Sequence, residues 1–292
     1  MDIHLVDGTY ELYRHFYALP EALDDTGQEI AATRGVLNSV ISMLEQGATH
    51  VGVATDHIIE SFRNDLYDGY KTGDGVPPEI MSQIAIMEET LTALGVMVWP
   101  MVEFEADDAL AAAAIKAATI EDVGQVLICT PDKDLCQCVS GTKIVQLDRR
   151  RDNSIRDENG VVEKFGVKPS SIPDYLALVG DTADGFPGLS GWGEKGAGAI
   201  LAQFKHLEEI PKDLSQWPTI RGASKLATTL FDNFESALLY RQLATLRLDV
   251  PVFSNVDELR WQGPTTSFEA VCKRLKAKNS FKRVAKLICP KV

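Results

Sequence analysis

Three short apolar, β-branched runs that each end on an acid constrain the fold of this chain more than any other feature. Ile3-His4-Leu5-Val6 leads into Asp7, and the run from His50 to Thr55 leads into Asp56. The third, Val126 to Thr130, leads into Pro131-Asp132, and Lys143–Leu147 reads as a further strand. Between these runs, residues 33–46, 79–94 and 105–118 place apolar side chains at helical spacing. Such alternation predicts an α/β fold, a mostly parallel central sheet with helices on both faces. In open sheets of this kind ligands bind beyond the carboxyl ends of the strands, where these acids fall. A core acid there would be costly to bury unpaired, so the pattern favours chemistry over packing. After about Gly166 the character changes to helices and glycine-rich turns, and the stretch 185–198 predicts a helical hairpin module rather than a sheet layer.

Length and composition bound what this fold can serve. A chain of 292 residues holds one large domain, or a core with an appended module. No run approaches the roughly 18 apolar residues of a membrane span, and Met1-Asp2-Ile3-His4 does not open a secretory signal. The five cysteines (129, 136, 138, 272, 289) form an odd set without zinc-site spacing, so reduced thiols in a cytoplasmic protein are expected. The net charge of -13 argues against nucleic acid, but its distribution does not. From Ala270 to Val292 there are eight Lys or Arg and no acid, which leaves -21 on the rest of the chain. A basic tail on an acidic body is compatible with DNA, and equally with a solvated terminal helix.

The acids fall into spaced motifs. Phe104-Glu105-Ala106-Asp107-Asp108 puts three acids at the start of a helix, where capping and dipole compensation would explain them at about 0.3–1 kcal/mol each. Capping does not explain Thr130-Pro131-Asp132-Lys133-Asp134-Leu135, nor Gly180-Asp181-Thr182-Ala183-Asp184-Gly185. Two unit charges 4 Å apart repel by about 4 kcal/mol at an effective dielectric of 20. Seven or more gathered carboxylates therefore need cations among them, and oxygen-only ligands select hard ions such as Mg²⁺ or Mn²⁺. The five histidines are scattered, and no Ser-His-Asp arrangement can be read.

In their order, these motifs resemble the 5′ nuclease (flap endonuclease) superfamily, and in particular the 5′–3′ exonuclease domain of bacterial DNA polymerase I and stand-alone bacteriophage 5′ nucleases. The resemblance runs from Ile3 to about Val250 and includes Leu5-Val6-Asp7-Gly8, Phe62-Arg63 and Tyr70-Lys71. It implies a PIN-like core over 1–165 with a helical arch at about 63–104, a helix–hairpin–helix region over 166–250 and the basic tail over 251–292. No polymerase segment follows, so a free-standing nuclease is expected. Carried across by position, Asp7, Asp56, Glu105 and Asp107 would hold a first metal ion, with Asp108 beside them. Asp132, Asp134 and Asp184 would hold a second, with Asp181 acting through water. The implied activity is two-metal, Mg²⁺- or Mn²⁺-dependent hydrolysis of DNA at 5′ flaps and 5′ ends, extending to RNA–DNA hybrids, in replication or repair. Lys71 would reach the scissile phosphate, Arg63 would lie nearby, and Tyr13 would stack on the terminal base. Gly188, Gly191, Gly193 and Lys195 would form the duplex-binding hairpin, with a bound K⁺ as a family feature. A nucleoid-associated monomer is the matching expectation.

One departure bears on activity. The family often carries an arginine three residues after the arch lysine, and Asp74 stands there. An anion in that place should weaken stabilisation of transition-state charge. The alternative is therefore a flap-binding protein with little catalysis. A haloacid-dehalogenase-type phosphatase, suggested by Val6-Asp7-Gly8-Thr9, would need an aspartate at position 5, which is Leu5.

Overall fold

The computed structural model describes residues 1–150 and 153–288, so Cys289 and the last residues of the basic tail lie outside the described residues. The chain begins β1 (Asp2–Asp7), α1 (Gly8–Ala18), α2 (Ala31–Glu45), β2 (His50–Asp56), α3 (Phe62–Leu66), α4 (Pro78–Leu94) and β3 (Met97–Met101). It continues through α5 (Ala106–Ala118), β4 (Gln125–Cys129), β5 (Ile144–Asp148), β6 (Ser154–Arg156), α6 (Glu158–Phe165) and α7 (Ile172–Val179). Five helices complete it: α8 (Glu194–Phe204), α9 (Ala223–Asp232), α10 (Phe234–Ala244), α11 (Phe268–Arg274) and α12 (Lys278–Ile288). These elements form two compact units. The first comprises Met1–Ile59, Gly73–Thr130 and the chain from Leu248 on; the second comprises Glu60–Thr72 and Pro131–Arg247.

In the first unit the strands lie in the order β3-β2-β1-β4, and every pairing is parallel. Ile3, Leu5, Val6, Val51 and Val53 are fully buried, as expected of strands covered on both faces. The chain steps outward from β1 to β2 to β3, then reverses through α5 to reach β4 on the far side of β1. Because parallel crossovers are right-handed, this reversal puts α5 on the face opposite α1, α2 and α4. The predicted mostly parallel sheet with helices on both faces is thus present. Asp7 ends β1 at the point where strand order reverses, the preferred ligand position in such sheets.

Two features of this unit differ from the sequence reading. Within the span 63–104, α4 matches the helical spacing read over 79–94 and has ten buried residues, while the strand β3 was not expected. β3 was missed because Met97-Val98-Trp99-Pro100-Met101 is short and contains a proline. Pro100 is tolerated because β3 pairs only with β2 in this unit and lies at the sheet's edge. The basic tail is also no loose extension. Phe268, Leu275 and Val284 are buried, and Arg283 makes a two-pronged ion pair with Glu45 at 2.7 and 2.9 Å.

The second unit holds the antiparallel pair β5–β6 and the helices α3 and α6 to α10. Its core gathers Leu176, Leu178, Phe186, Trp192, Ile200 and Leu230. The module predicted after Gly166 is therefore helical and has its own hydrophobic centre. Cys129, Cys136, Cys138 and Cys272 are free and buried, and no described helix is long and apolar enough to cross a membrane.

Candidate metal-binding carboxylate site

In the second unit, a short turn after Pro131 and the loop after α7 bring four acids together. The D-x-D turn folds on itself: the Asp134 amide donates to Asp132 Oδ1 at 2.9 Å. The buried Gln146 on β5 donates to the Asp132 carbonyl and so anchors the turn to the strand. The D-x-x-D loop is closed by a two-way backbone bridge, with Asp181 N to Phe186 O at 2.8 Å and Phe186 N to Asp181 O at 3.0 Å. Gly188 has φ +67°, and a Cβ there would lie 2.3 Å from the Gly180 nitrogen. Glycine at 188 is thus required by the conformation of this loop.

Asp134, Asp181 and Asp184 each present a carboxylate oxygen within 4.8 Å of the other two. Asp134 is 5% exposed, and its Oδ1 has no hydrogen-bond partner. An orphaned anionic oxygen that deep is costly unless a cation meets it. Burial, and then the charges of Asp132, Asp184 and Asp181, push the Asp134 carboxyl well above the usual aspartate range. Asp132 still reaches solvent at the rim of the cluster. Loss of surrounding water raises its carboxyl too, with Asp184 and Asp181 adding to the effect. All the donors are carboxylate oxygens, a set that fits a hard divalent cation.

Two ammonium groups stand against these acids. Lys71 Nζ lies 2.9 Å from Asp184 Oδ1, and the Lys71 amide donates to the Asp184 carbonyl at 2.9 Å. Gly185 allows this approach: its φ is +87°, and a Cβ would come within 2.2 Å of the Gly69 carbonyl oxygen. Asn64 Nδ2 further holds the Lys71 carbonyl at 2.9 Å. Lys133 Nζ lies 2.7 Å from Asp181 Oδ2. Burial pulls the Lys133 amine down, but the hydrogen bond and charge of Asp181 outweigh it and hold the amine above its ordinary value. Lys133 was not singled out from sequence, although its place between the two acids of D-x-D was a usable signal.

Arg63 departs from its expected place beside a phosphate. It is 1% exposed, and its Nε donates to the Leu243 carbonyl at 2.8 Å and its Nη2 to the Thr245 carbonyl at 3.3 Å. A cation suits the carboxyl end of a helix, here α10, so Arg63 fastens the segment that carries Lys71. In the hairpin before α8, Gly191 and Gly193 are exposed, and nothing lies within 4 Å of a Cβ built on Gly193. Trp192 is buried between them and donates to the Leu226 carbonyl at 3.2 Å, while Lys195 is exposed in the first turn of α8.

In the first unit the acids lie at strand and helix ends. Asp7 caps α1 by accepting from the Tyr10 amide at 2.8 Å, and its other oxygen accepts from the Thr130 hydroxyl at 3.0 Å. Asp56 accepts from the Ala106 amide at 2.8 Å. Glu105 and Asp108 form a reciprocal capping box at the start of α5, so the capping account holds for Asp108, which is fully buried. Asp107 and Tyr13 are half-buried on α5 and α1. Among the described residues, these acids by themselves do not bring three carboxylate oxygens within 4.8 Å of one another. Asp74 is exposed ahead of α4.

Two family models match in succession: the 5′-3′ exonuclease N-terminal resolvase-like domain over residues 2–166, and the 5′-3′ exonuclease C-terminal SAM fold over 167–267. Among curated proteins, DNA polymerase I of Pseudomonas aeruginosa is 37% identical over 260 residues, covering 87% of this chain and 28% of that protein. DNA polymerase I of Bacillus caldotenax is 33% identical over 265 residues, covering 89% and 29%. The chain thus spans under a third of the length of these relatives. Among solved structures, the T5 D15 protein co-crystallised with metal ions superimposes with TM-score 0.67 at 16% identity, over 99% of this chain and 98% of that one. Flap endonuclease-1 from Methanococcus jannaschii gives 0.61 at 16% identity, over 100% and 93%. At these identities the structural likeness concerns the fold.

Proposed function

Because the chain belongs to the 5′-3′ exonuclease family, we infer that it is a structure-specific 5′ nuclease that hydrolyses DNA phosphodiesters in replication or repair. The observation that carries this reading is the Asp134–Asp181–Asp184 set with the orphaned Asp134 Oδ1. Asp132, Asp134 and Asp184 would hold a divalent cation, Mg²⁺ or Mn²⁺, with Asp181 beside it. Asp7, Asp56, Glu105 and Asp107 are the matching candidates in the first unit, as is typical of a family with two metal ions. Such ions supply Lewis-acid stabilisation of charge on a reacting phosphodiester.

The chain's own groups have separable roles. Asp184 fixes Lys71 Nζ at its rim, which keeps a full positive charge where a phosphate can approach the acids. Lys133 orients Asp181 through their 2.7 Å ion pair. In the overall reaction, a water oxygen bonds to phosphorus as the bond to the 3′ oxygen breaks, and the proton lost by water matches the one gained by the 3′ hydroxyl. Lys71 favours the charge that builds on the non-bridging oxygens during this exchange. Gly191, Gly193 and Lys195 offer exposed backbone and a cation to a duplex phosphate, and K⁺ at that hairpin and RNA–DNA hybrids as substrates belong to the same reading. Tyr13 is the candidate base platform, which would contribute about 1–3 kcal/mol.

A labelled 5′-flap duplex tests the reading in Mg²⁺, in Mn²⁺, in EDTA and with Asp134→Asn. Cleavage near the junction should vanish in EDTA. Loss of a ligand should slow it by at least ~10²-fold, since even outer-shell partners of metal ligands are worth 10–100-fold. Firm flap binding without cleavage in either metal ion would favour the flap-binding alternative, motivated by the exposed Asp74, and Asp74→Arg would then be the informative reversion.

A further inference from the structure

The basic residues between positions 273 and 283 divide into two sets. Arg274, Lys276 and Arg283 face the acidic body and pair with Glu89, Asp25 and Glu45 at 3.0, 3.0 and 2.7 Å. Lys273, Lys278 and Lys282 are exposed and have no ion pair among the described residues. These three, with Lys276, line a groove of about 630 Å³ between the two helices. Glu269 is the single acid in its lining, and buried Cys272 also lines it. On the groove wall Phe281 is 36% exposed and is stacked on Phe268, with ring centroids 6.2 Å apart and planes inclined by 28°.

We propose that this groove binds a segment of single-stranded DNA, with Lys273, Lys278 and Lys282 against successive phosphates and Phe281 stacked on a base. Charge complementarity carries the choice. The chain before Ala270 has a net charge of -21 and repels phosphate, whereas the groove gathers three unpaired ammonium groups against one carboxylate, its fourth, Lys276, being paired with Asp25. Unpaired lysines at a groove rim, rather than spent on internal ion pairs, suit a ligand that brings its own anions. An exposed aromatic face beside them suits an unstacked base, which a duplex does not offer. Phe281 is already oriented by Phe268, so little side-chain freedom is lost on stacking. The site needs no metal ion and does not rest on the hydrolytic reading.

The test is fluorescence anisotropy of labelled oligo(dT) in EDTA across a KCl series, with the full chain and its K273Q/K278Q/K282Q variant. These side chains are exposed and unpaired, so the variant should keep its fold, which far-ultraviolet circular dichroism checks. The slope of log affinity against log salt should fall by about 2, from ~0.7 per single-strand phosphate contact over three contacts. An oligonucleotide carrying 5-iodouracil should also photocrosslink to the peptide containing Phe281, and Phe281→Ala should abolish that adduct. An unchanged slope in the triple variant, or adducts only elsewhere in the chain, would overturn the proposal. Competition by polyglutamate as strong as by oligo(dT) at matched charge would overturn it in favour of an acidic protein partner. Because EDTA silences metal-dependent cleavage, failure here leaves the nuclease reading standing, and failure of cleavage leaves this one standing.

Discussion

Asp134 is buried among three other acids, with one carboxylate oxygen left without a partner. Its carboxyl is raised by burial and by three neighbouring acids, so the folded protein holds a proton that the unfolded chain has already released. Stability tied to this group is therefore fully present below the ordinary aspartate value of 3.8 and declines as pH rises toward the raised value. The metal-free protein should accordingly be more stable at mildly acidic pH than at pH 7, and Mg²⁺ should restore stability at neutrality by binding only the folded state. Asp134→Asn removes the charge without altering the shape, and should raise the thermal midpoint of the metal-free protein at pH 7 while flattening its pH dependence. It should also abolish stabilisation by Mg²⁺. Differential scanning calorimetry in EDTA and in Mg²⁺ measures all three, and a wild-type pH profile rising monotonically from 5 to 7 would contradict the argument. The residue types were legible from the motifs. The buried, partnerless Oδ1 was not, because burial depends on β5, α7 and the loop after it, all distant in sequence from D-x-D.

At the scale of elements, the D-x-x-D loop shows why a glycine assigned to one task can serve another. Gly-Phe-Pro-Gly reads as the approach to a phosphate-binding hairpin, yet Gly188 is held by backbone crowding against Gly180 and the Leu178 carbonyl. Gly188→Ala should cost about 2 kcal/mol or more, from a strained positive φ together with the clash. Urea unfolding should show the loss as a shifted midpoint at unchanged slope. Equal stability of the two proteins would mean that the loop relaxes freely. Strand β3 teaches the converse. Its proline and short length conceal it in a single sequence, and only its place at the sheet edge makes Pro100 tolerable. Helices α2, α4 and α5 were legible because their apolar spacing is strong and their ends are well marked, as by Gly95 after α4 in the left-handed conformation.

For the whole molecule, the basic tail is where charge alone misleads. Eight basic residues without an acid suggest an arm for DNA, but part of that charge is consumed in pairs with the acidic body, and α11, α12 and the turn between them bury Phe268, Val271, Leu275 and Val284. Removing 268–288 should therefore destabilise the chain by about 6–12 kcal/mol, taking ~1.5–3 kcal/mol for each of the four buried side chains. Thermal melting should show a large fall in the midpoint. A truncated protein that melts within a degree or two of the full chain would mean that the helices are dispensable additions. Truncation is thus the wrong way to ask whether the tail meets DNA, and lysine substitutions in the groove are the right one.

The sequence by itself determined the chemistry available: oxygen ligands in a given order, strands that end on acids, a glycine-rich hairpin after them and a family to which these belong. Those properties are local, because residue type and short-range spacing suffice to state them. The tertiary structure alone decided that Asp134 Oδ1 is orphaned, that Lys71 and Lys133 stand on Asp184 and Asp181, that Arg63 is a fastening rather than a phosphate contact, and that three of the tail's eight basic residues pair internally. Each of these depends on partners far along the chain, 180 residues for Arg63 and Leu243 and 238 for Arg283 and Glu45. A cation's role depends on which anion or carbonyl it meets, and only the folded chain chooses that.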